Sequence, residues 1–259
     1  MAQTVTNLVR LAPEWEQPES RAFCDELEAI SRQVPREAVI HAGRNLIFRH
    51  RVGAGEVAVK RFPVSGGRRL VYRLRTSKAV RAFDHASRLL ALGIGTPRPL
   101  AAAEVRRGGA LLASFYCSEF VPTFREARSL KVAGAPDRAE LLGLLGEFVS
   151  HLHESGVLHR DLTSGNVLLV PDPGKPGAVA FQLVDINRMR FGRVSVRAGL
   201  ANLAQLRLQD GGVLLSGYCR ARNLVASRVA PYYRFRFGLR SAVQALKERT
   251  RPLRRRFGL

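Results

Sequence analysis

An aspartate and an asparagine with the spacing of a catalytic loop occur in the segment HRDLTSGN, residues 159–166. The segment matches the kinase pattern H-R-D-x-x-x-x-N. In that pattern Asp161 reaches an attacking hydroxyl, while Asn166 turns back to hold a Mg²⁺ ion at the phosphates. His159 is predicted to brace the loop rather than to transfer protons. The alternative is a loop whose Asp and Asn residues serve turns and caps.

Two further residues extend this prediction to a nucleotide site. Asp185 follows Asn166 by 19 residues, at the end of an apolar strand, where its carboxylate can serve the same metal ions. Lys60 ends the segment VAVK, which has the form of the strand lysine that neutralises the α- and β-phosphates of ATP. A strand-end lysine at the solvent edge is the alternative. The set predicts phosphoryl transfer with ATP and Mg²⁺.

The elements around these residues predict an α+β, two-lobed, protein-kinase-like fold. Short strands and one helix come first, and a longer amphipathic helix, two short strands and further helices follow. The predicted strands cover residues 39–41, 46–51, 56–62, 100–104, 111–120, 166–170 and 181–185, and the predicted helices cover about 20–33, 77–92, 137–156 and most of 196–259. We divide the chain into an N-terminal extension (1–38), a nucleotide-binding N-lobe (39–118) and a C-lobe (119–259).

The charge of the chain predicts polyanionic partners. The net charge is +21, and residues 42–81 and 210–259 each contribute +10. Nucleotides, nucleic acid and anionic lipid headgroups all fit this charge, although an arginine-rich composition also fits a GC-rich genome. No nucleic-acid-binding module is visible, so nucleic acid is disfavoured as a partner.

The location predicted from sequence is cytoplasmic, with at most peripheral contact to the inner membrane. No signal peptide and no apolar run of spanning length is visible. The three cysteines, which are scattered and odd in number, predict buried thiols in a reducing compartment.

With these motifs the sequence resembles the bacterial lipopolysaccharide core kinases, which phosphorylate Kdo or heptose and share the protein-kinase fold. The resemblance covers about residues 39–206 and rests also on SKA (77–79), GIGTPRPL (93–100) and LVDINRM (183–189). It implies an enzyme that transfers the γ-phosphoryl group of ATP to a sugar hydroxyl, of a lipopolysaccharide core or a related glycolipid.

The same resemblance implies a role for each candidate residue. Asp161 would be the catalytic base, Asn166 and Asp185 the metal ligands, and Lys60 the phosphate-binding lysine. Glu119 would begin the interlobe hinge, whose backbone contacts adenine.

The chain departs from the kinase pattern at three places. A glycine-rich loop is absent, and Gly43 and Arg44 occupy the equivalent turn as candidate phosphate-binding residues. The helix that should offer a glutamate to Lys60 offers Asp84, for which Arg88 at i+4 competes. Asp185 is followed by Ile-Asn rather than Phe-Gly.

A missing activation segment bears on the acceptor. Few residues separate Asp185 from the helix near Gly199, and no A-P-E motif follows. Because protein kinases position their peptide with that segment, a sugar or lipid-linked acceptor is favoured. The alternatives are a protein kinase, a soluble small-molecule kinase and a nucleotide-binding pseudokinase.

The C-terminal region interleaves aromatic residues and arginines in YYRFRF (232–237) and ends in RRR (254–256). One interpretation is a membrane-docking segment, with rings at the interface and arginines on phosphates. The other is a C-lobe helix with its rings in the core and its arginines in solvent.

Overall fold

The computed structural model of the chain describes residues 4–132, 134 and 137–256. The chain divides into two compact units. Unit 1 comprises Met1–Thr123 and Asp185–Arg188, and unit 2 comprises Phe124–Val184 and Met189–Leu259. The predicted α+β class is confirmed, because unit 1 is built on a large sheet and unit 2 is mainly helical.

Unit 1 contains a six-stranded antiparallel sheet with the order β1-β5-β6-β4-β3-β2. Its strands are β1 (Thr4–Leu11), β2 (Val39–Ala42), β3 (Leu46–Val52), β4 (Gly55–Pro63), β5 (Pro99–Arg107) and β6 (Ala110–Glu119). Its helices are α1 (Pro18–Ile30), α2 (Arg68–Val71) and α3 (Lys78–Ala91).

The core of unit 1 joins α1 to one face of this sheet. Phe23, Cys24 and Leu27 of α1 are buried together with sheet residues that include Phe48 and Val59. Pro18 starts the helix at a position where its missing N–H costs nothing. Burial raises the pKa of the Cys24 thiol to about 12. All three cysteines are free and buried, as predicted.

Residues 4–38 are therefore part of unit 1 and not a separate extension. They supply α1 and also β1, an edge strand that the sequence analysis missed and that pairs antiparallel with β5. In β1, Leu8 and Leu11 pack against the core, whereas Val5 and Val9 are exposed. The strand was overlooked because its apolar residues do not alternate regularly, although β-branched residues are common in it.

Helix α3 follows its predicted start and end signals. The Ser77 hydroxyl accepts a hydrogen bond from the Val80 N–H at 3.3 Å, which caps the first turn. Gly93 follows the helix with φ of 70°, a conformation that terminates helices and favours glycine.

Unit 2 combines four helices with short strands. The helices are α4 (Arg138–Glu154), α5 (Val196–Leu203), α6 (Gly211–Ala221) and α7 (Ala226–Arg256). The strands are β7 (Arg125–Glu126), β8 (Val157–His159), β9 (Val167–Pro171), β10 (Val179–Leu183) and β11 (Met189–Phe191). Strands β10, β9 and β7 form one small sheet, and β11 pairs with β8. No helix in the described part of the chain combines the length and apolar character of a membrane span.

Two glycines let α4 and α6 approach each other closely. A Cβ atom on Gly217 would lie 2.1 Å from the Gly143 carbonyl oxygen, and one on Gly146 would lie 2.2 Å from the Leu214 carbonyl oxygen. Because both obstacles are backbone atoms, a side chain here requires a shift of a whole helix. The contact between these helices underlies the packing of unit 2.

Replacing Gly217 with Ala should destabilise the protein by about 2–3 kcal/mol, because the added methyl group overpacks this helix crossing. Gly143→Ala is the matched control, since its Cβ would meet nothing nearer than the Arg220 guanidinium at 4.0 Å. That control should gain up to about 1 kcal/mol from helix propensity. Urea unfolding measures both, and equal stabilities of the two variants would contradict the close crossing.

Candidate active site

Lys60 and Asp185 form an ion pair within unit 1. The Lys60 Nζ atom lies 2.7 Å from Asp185 Oδ1, with side-chain exposures of 14% and 33%. Because side chains alternate along a strand, Lys60 lies on the opposite face of β4 from Val59, which belongs to the α1 core. The sheet therefore keeps this lysine out of the apolar core, and the structure brings together two of the predicted site residues.

The backbone at Asp185 is unusual. Its φ is 56°, in the left-handed region that few residues other than glycine adopt, and such conformations concentrate at functional sites. The next residue, Ile186, accepts a hydrogen bond from His85 Nδ1 at 2.7 Å. Burial lowers the pKa of His85, which favours the neutral ring. His85 of α3 therefore holds the backbone that carries the Asp185 carboxylate.

The sequence left open whether Asp84 pairs with Lys60, and the structure places Asp84 beside Arg10 of β1. The Arg10 Nε atom donates to Asp84 Oδ1 at 3.0 Å, and both side chains are about half exposed. The unforeseen strand β1 brings Arg10 next to α3, and this partner could not be inferred from the local sequence pattern.

The other proposed nucleotide-binding residues occupy an exposed turn and a strand end. Gly43 and Arg44 lie in the turn between β2 and β3, where the Gly43 N–H donates to the Asn45 carbonyl oxygen at 3.1 Å. That N–H is therefore engaged within the turn. Glu119 ends β6, and its N–H donates to the Arg98 carbonyl oxygen at 2.9 Å. The nucleotide-binding roles of Gly43, Arg44 and Glu119 stay predictions.

In unit 2 the predicted catalytic loop is held by its own histidine. The Asp161 N–H donates to His159 Nδ1 at 3.1 Å, so His159 carries its proton on Nε2. That Nε2–H donates to the Val184 carbonyl oxygen at 3.1 Å. The His159 side chain thus braces the loop, as predicted.

Asn166 closes the loop and links it to the β9–β10 hairpin. Its side-chain Nδ2 atom donates to the backbone carbonyl oxygen of Asp161 at 2.9 Å. Its backbone carbonyl oxygen accepts a hydrogen bond from the Val184 N–H at 3.0 Å. Asp161 and Asn166 are thereby fixed relative to each other. Throughout the described ranges, the Asp161 carboxylate accepts no hydrogen bond and forms no ion pair, so it is available to a substrate.

Each of the two predicted metal ligands keeps an oxygen atom of the kind that Mg²⁺ prefers. In unit 2 the Asn166 amide donates from Nδ2 to Asp161, which leaves its Oδ1 atom to accept, and in unit 1 Asp185 carries a carboxylate. Their metal-binding roles stay predictions. Within the described part of the chain, no cluster of three or more His, Cys, Asp or Glu residues forms a metal site. Mg²⁺ characteristically needs only one or two protein oxygen ligands when phosphates and water complete its shell.

A chain of buried hydrogen bonds supports the loop from behind. Asn202 of α5 donates from Nδ2 to the His159 carbonyl oxygen at 2.8 Å and accepts from His153 Nε2 at 3.1 Å. His153 Nδ1 faces the Tyr218 hydroxyl at 3.0 Å, and Arg222 donates to that hydroxyl. Three helices, α4, α5 and α6, therefore converge on the backbone of the catalytic loop.

This arrangement requires a neutral His153. Burial lowers the pKa of His153 to about 4, with the hydrogen bond that His153 donates to Asn202 opposing this shift and the charge of Arg222 adding to it. Between this value and the pKa of about 6.5 in the unfolded chain, the unfolded state binds more protons. Stability is therefore lost as the pH falls through this window.

We expect the free energy of unfolding to be about 2 kcal/mol lower at about pH 5 than at pH 7.5 through His153 alone. Urea titrations of wild type and His153→Gln at both pH values measure this term. The variant should be less stable at pH 7.5 but should lack this part of the pH dependence. His151→Gln, an exposed position on the same helix, should retain it. Identical slopes in wild type and His153→Gln would contradict the assignment.

Sequence reasoning missed His85, His153 and Asn202 as supports of the site. Of the two histidines near the end of α4, His151 is exposed while His153 is buried. The signal that was available is the position of His153 on the apolar side of a well-predicted amphipathic helix. A polar residue there needs a partner.

Comparison with known proteins places the chain in a family. The sequence profile of the lipopolysaccharide kinase (Kdo/WaaP) family matches residues 67–211, more than half of the 259 residues. The chain belongs to the lipopolysaccharide kinase (Kdo/WaaP) family. It is therefore a kinase, and the resemblance noted from the motifs is confirmed.

Among solved structures, this kinase is similar to one described as WaaP in complex with acyl carrier protein, with 19% sequence identity and a TM-score of 0.61. The match covers 90% of this chain and 99% of that one. At this identity the likeness shows the fold, which confirms the predicted kinase-like α+β architecture. Among curated protein sequences none matches this kinase significantly.

Proposed function

We propose that this lipopolysaccharide kinase transfers the γ-phosphoryl group of ATP to a sugar hydroxyl of a lipopolysaccharide core or a related glycolipid. The observation that carries the proposal is the braced loop in which Asp161, within the part of the chain that the structure describes, presents an unpaired carboxylate beside Asn166. A carboxylate that is fixed by its own backbone and left open is what the proton acceptor of an alcohol needs.

In the proposed reaction the acceptor oxygen attacks the γ-phosphorus of ATP. The hydroxyl proton passes to the Asp161 carboxylate, the new O–P bond forms, and the bond from phosphorus to the β,γ-bridging oxygen breaks to release ADP. Lys60 stabilises the phosphate charge. Asn166 and Asp185 would hold Mg²⁺, which supplies charge neutralisation at the phosphates. The contribution of the protein is mainly positioning and electrostatic stabilisation.

The proposed sugar acceptor is supported by the family and by the short connection after Asp185. Ten residues separate Asp185 from α5, and three of them, Met189–Phe191, pair with β8. This leaves no long segment of the kind with which protein kinases position a peptide. A compact acceptor group is therefore favoured over a polypeptide.

The test is transfer of labelled γ-phosphate from ATP to lipopolysaccharide whose core phosphates have been removed. Label should appear in the glycolipid with wild type, and it should disappear with Asp161→Ala or when EDTA removes divalent cations. Protein and soluble sugars are assayed in parallel as acceptors. Label in protein would replace the proposed acceptor, and tight ATP binding without transfer to any acceptor would show a pseudokinase.

A further inference from the structure

Helix α7 exposes a row of large apolar side chains. Phe235, Leu239, Val243 and Leu246 have exposed fractions of 64%, 47%, 42% and 63%. Their spacing of four, four and three residues places them on one face of the helix. Scattered single apolar residues are normal on surfaces, but a continuous row along one helix face marks an interaction site.

The opposite face of α7 anchors the helix in unit 2. Tyr233 is buried at 3% exposure, with its hydroxyl close to Gly211 at the start of α6. Tyr233 is half a turn away from Phe235 around the helix. The aromatic residues of YYRFRF thus divide between the two interpretations given above, since Tyr233 belongs to the core and Phe235 is exposed. The apolar row is additional to the face that packs.

Basic residues border this apolar row. On the helical wheel Arg234 falls on one side of it and Arg240 on the other, and both are exposed. Along Ala226–Arg256 the sequence has ten Lys and Arg residues against one acid, Glu248. The structure does not describe the side chains from Lys247 onward, which include those of Arg254–Arg256. Only the charge of these residues, known from the sequence, is therefore considered.

We propose that this face of α7, defined by Phe235, Leu239, Val243 and Leu246, docks on the surface of an anionic lipid bilayer. The apolar side chains enter the boundary between headgroups and acyl chains, and the bordering arginines contact lipid phosphates. An apolar stripe between cationic borders is the pattern of a helix that lies in the membrane plane. This inference goes beyond the proposed phosphotransfer and does not depend on it.

Charge argues for lipid over a second copy of the chain. Two α7 helices packed through this face would bring their arginine borders together, and like charges along such a seam oppose pairing. An anionic bilayer instead offers an opposite charge to every arginine near its surface, which favours binding. The same surface would also lie next to a membrane-anchored glycolipid.

Sedimentation with vesicles tests the proposal on the full chain. Wild type should bind vesicles of phosphatidylglycerol and phosphatidylethanolamine, and binding should be weak to phosphatidylcholine vesicles and should fall with added salt. Phe235→Ser combined with Leu239→Ser should weaken binding by about tenfold or more, because two anchoring side chains are lost. The control pair, Leu74→Ser with Val132→Ser, removes exposed apolar residues elsewhere and should bind as wild type does.

Several outcomes would overturn the proposal. Failure of the wild-type protein to bind anionic vesicles would contradict it. Full binding by the Phe235/Leu239 double variant would also contradict it, because the arginines alone would then be sufficient for binding. If light scattering shows that wild type is a dimer and the double variant a monomer, and wild type also fails to bind vesicles, this result would assign the face to self-association. Asp161→Ala should bind vesicles normally, which separates this test from that of the proposed function.

Discussion

Replacing Asp161 with Asn is expected to lower kcat by about 10²–10⁴-fold, because the substituted amide cannot accept the proton of the attacking hydroxyl. The loop itself should survive. Its bracing uses the Asp161 N–H and carbonyl oxygen, which Asn also has, together with His159 and Asn166. The KM for ATP should therefore change little. Initial rates with varied ATP and acceptor measure both constants.

The matched control is Asp137→Asn, which removes an exposed carboxylate of the same unit. Asp137 pairs with Arg125 on the surface, and in the described structure its side chain forms no capping hydrogen bond at the start of α4. The loss of such a pair should leave kcat near the wild-type value. If Asp161→Asn retained the wild-type kcat, Asp161 could not be the catalytic base.

Replacing Lys60 with Met is expected to lower kcat/KM by about 10²–10³-fold, because a positive charge is removed from the developing phosphate charge. Asp185→Asn should lower kcat/KM by at least as much if Asp185 is the metal ligand proposed above. Since Lys60 and Asp185 contact each other at 2.7 Å, we expect them to act as a unit. The double variant should then lose about as much as the worse single variant, not the product of the two losses.

Asp84→Asn and Lys175→Met are the controls for this comparison of single and double variants. Asp84 is bonded to Arg10 on the surface of unit 1, and Lys175 is exposed in the β9–β10 turn. Each should change kcat/KM by less than about fivefold. A large loss in Asp84→Asn would restore Asp84 as the carboxylate partner of the phosphate-binding lysine and would contradict the observed pairing. Additive losses of Lys60→Met and Asp185→Asn would show that the two residues act independently.

Sequence predicted best those features in which nearby residues determine the geometry. The His159–Asn166 loop closes through bonds between residues two and five positions apart, so its pattern specifies its shape. Helix α3 carries its own cap at Ser77 and its own end at Gly93. The position of Lys60 at a strand end could be predicted because the alternation of apolar and polar residues identifies its strand and the neighbouring turns.

Features that depend on distant partners could not be predicted. The pairing of Asp84 with Arg10 requires β1 at the sheet edge, and the irregular apolar pattern of residues 4–11 does not predict that strand. The bond from Asn202 to the His159 carbonyl oxygen spans 43 positions in sequence. The left-handed backbone of Asp185 is set by the contacts around it and not by the apolar strand that precedes it. These residues support the site through tertiary packing, which single-sequence patterns do not encode.

Strand β1 also determines how the protein can be shortened or tagged. It covers the outer edge of β5, whose residues Ala101–Ala103 are fully buried. A truncated protein that begins at residue 39 would lose α1 from the core and leave a long apolar edge strand open to pairing with other chains, which is a route to aggregation. An affinity tag is therefore better joined ahead of β1 than beyond α7, the helix whose exposed apolar face we propose as a lipid-docking surface.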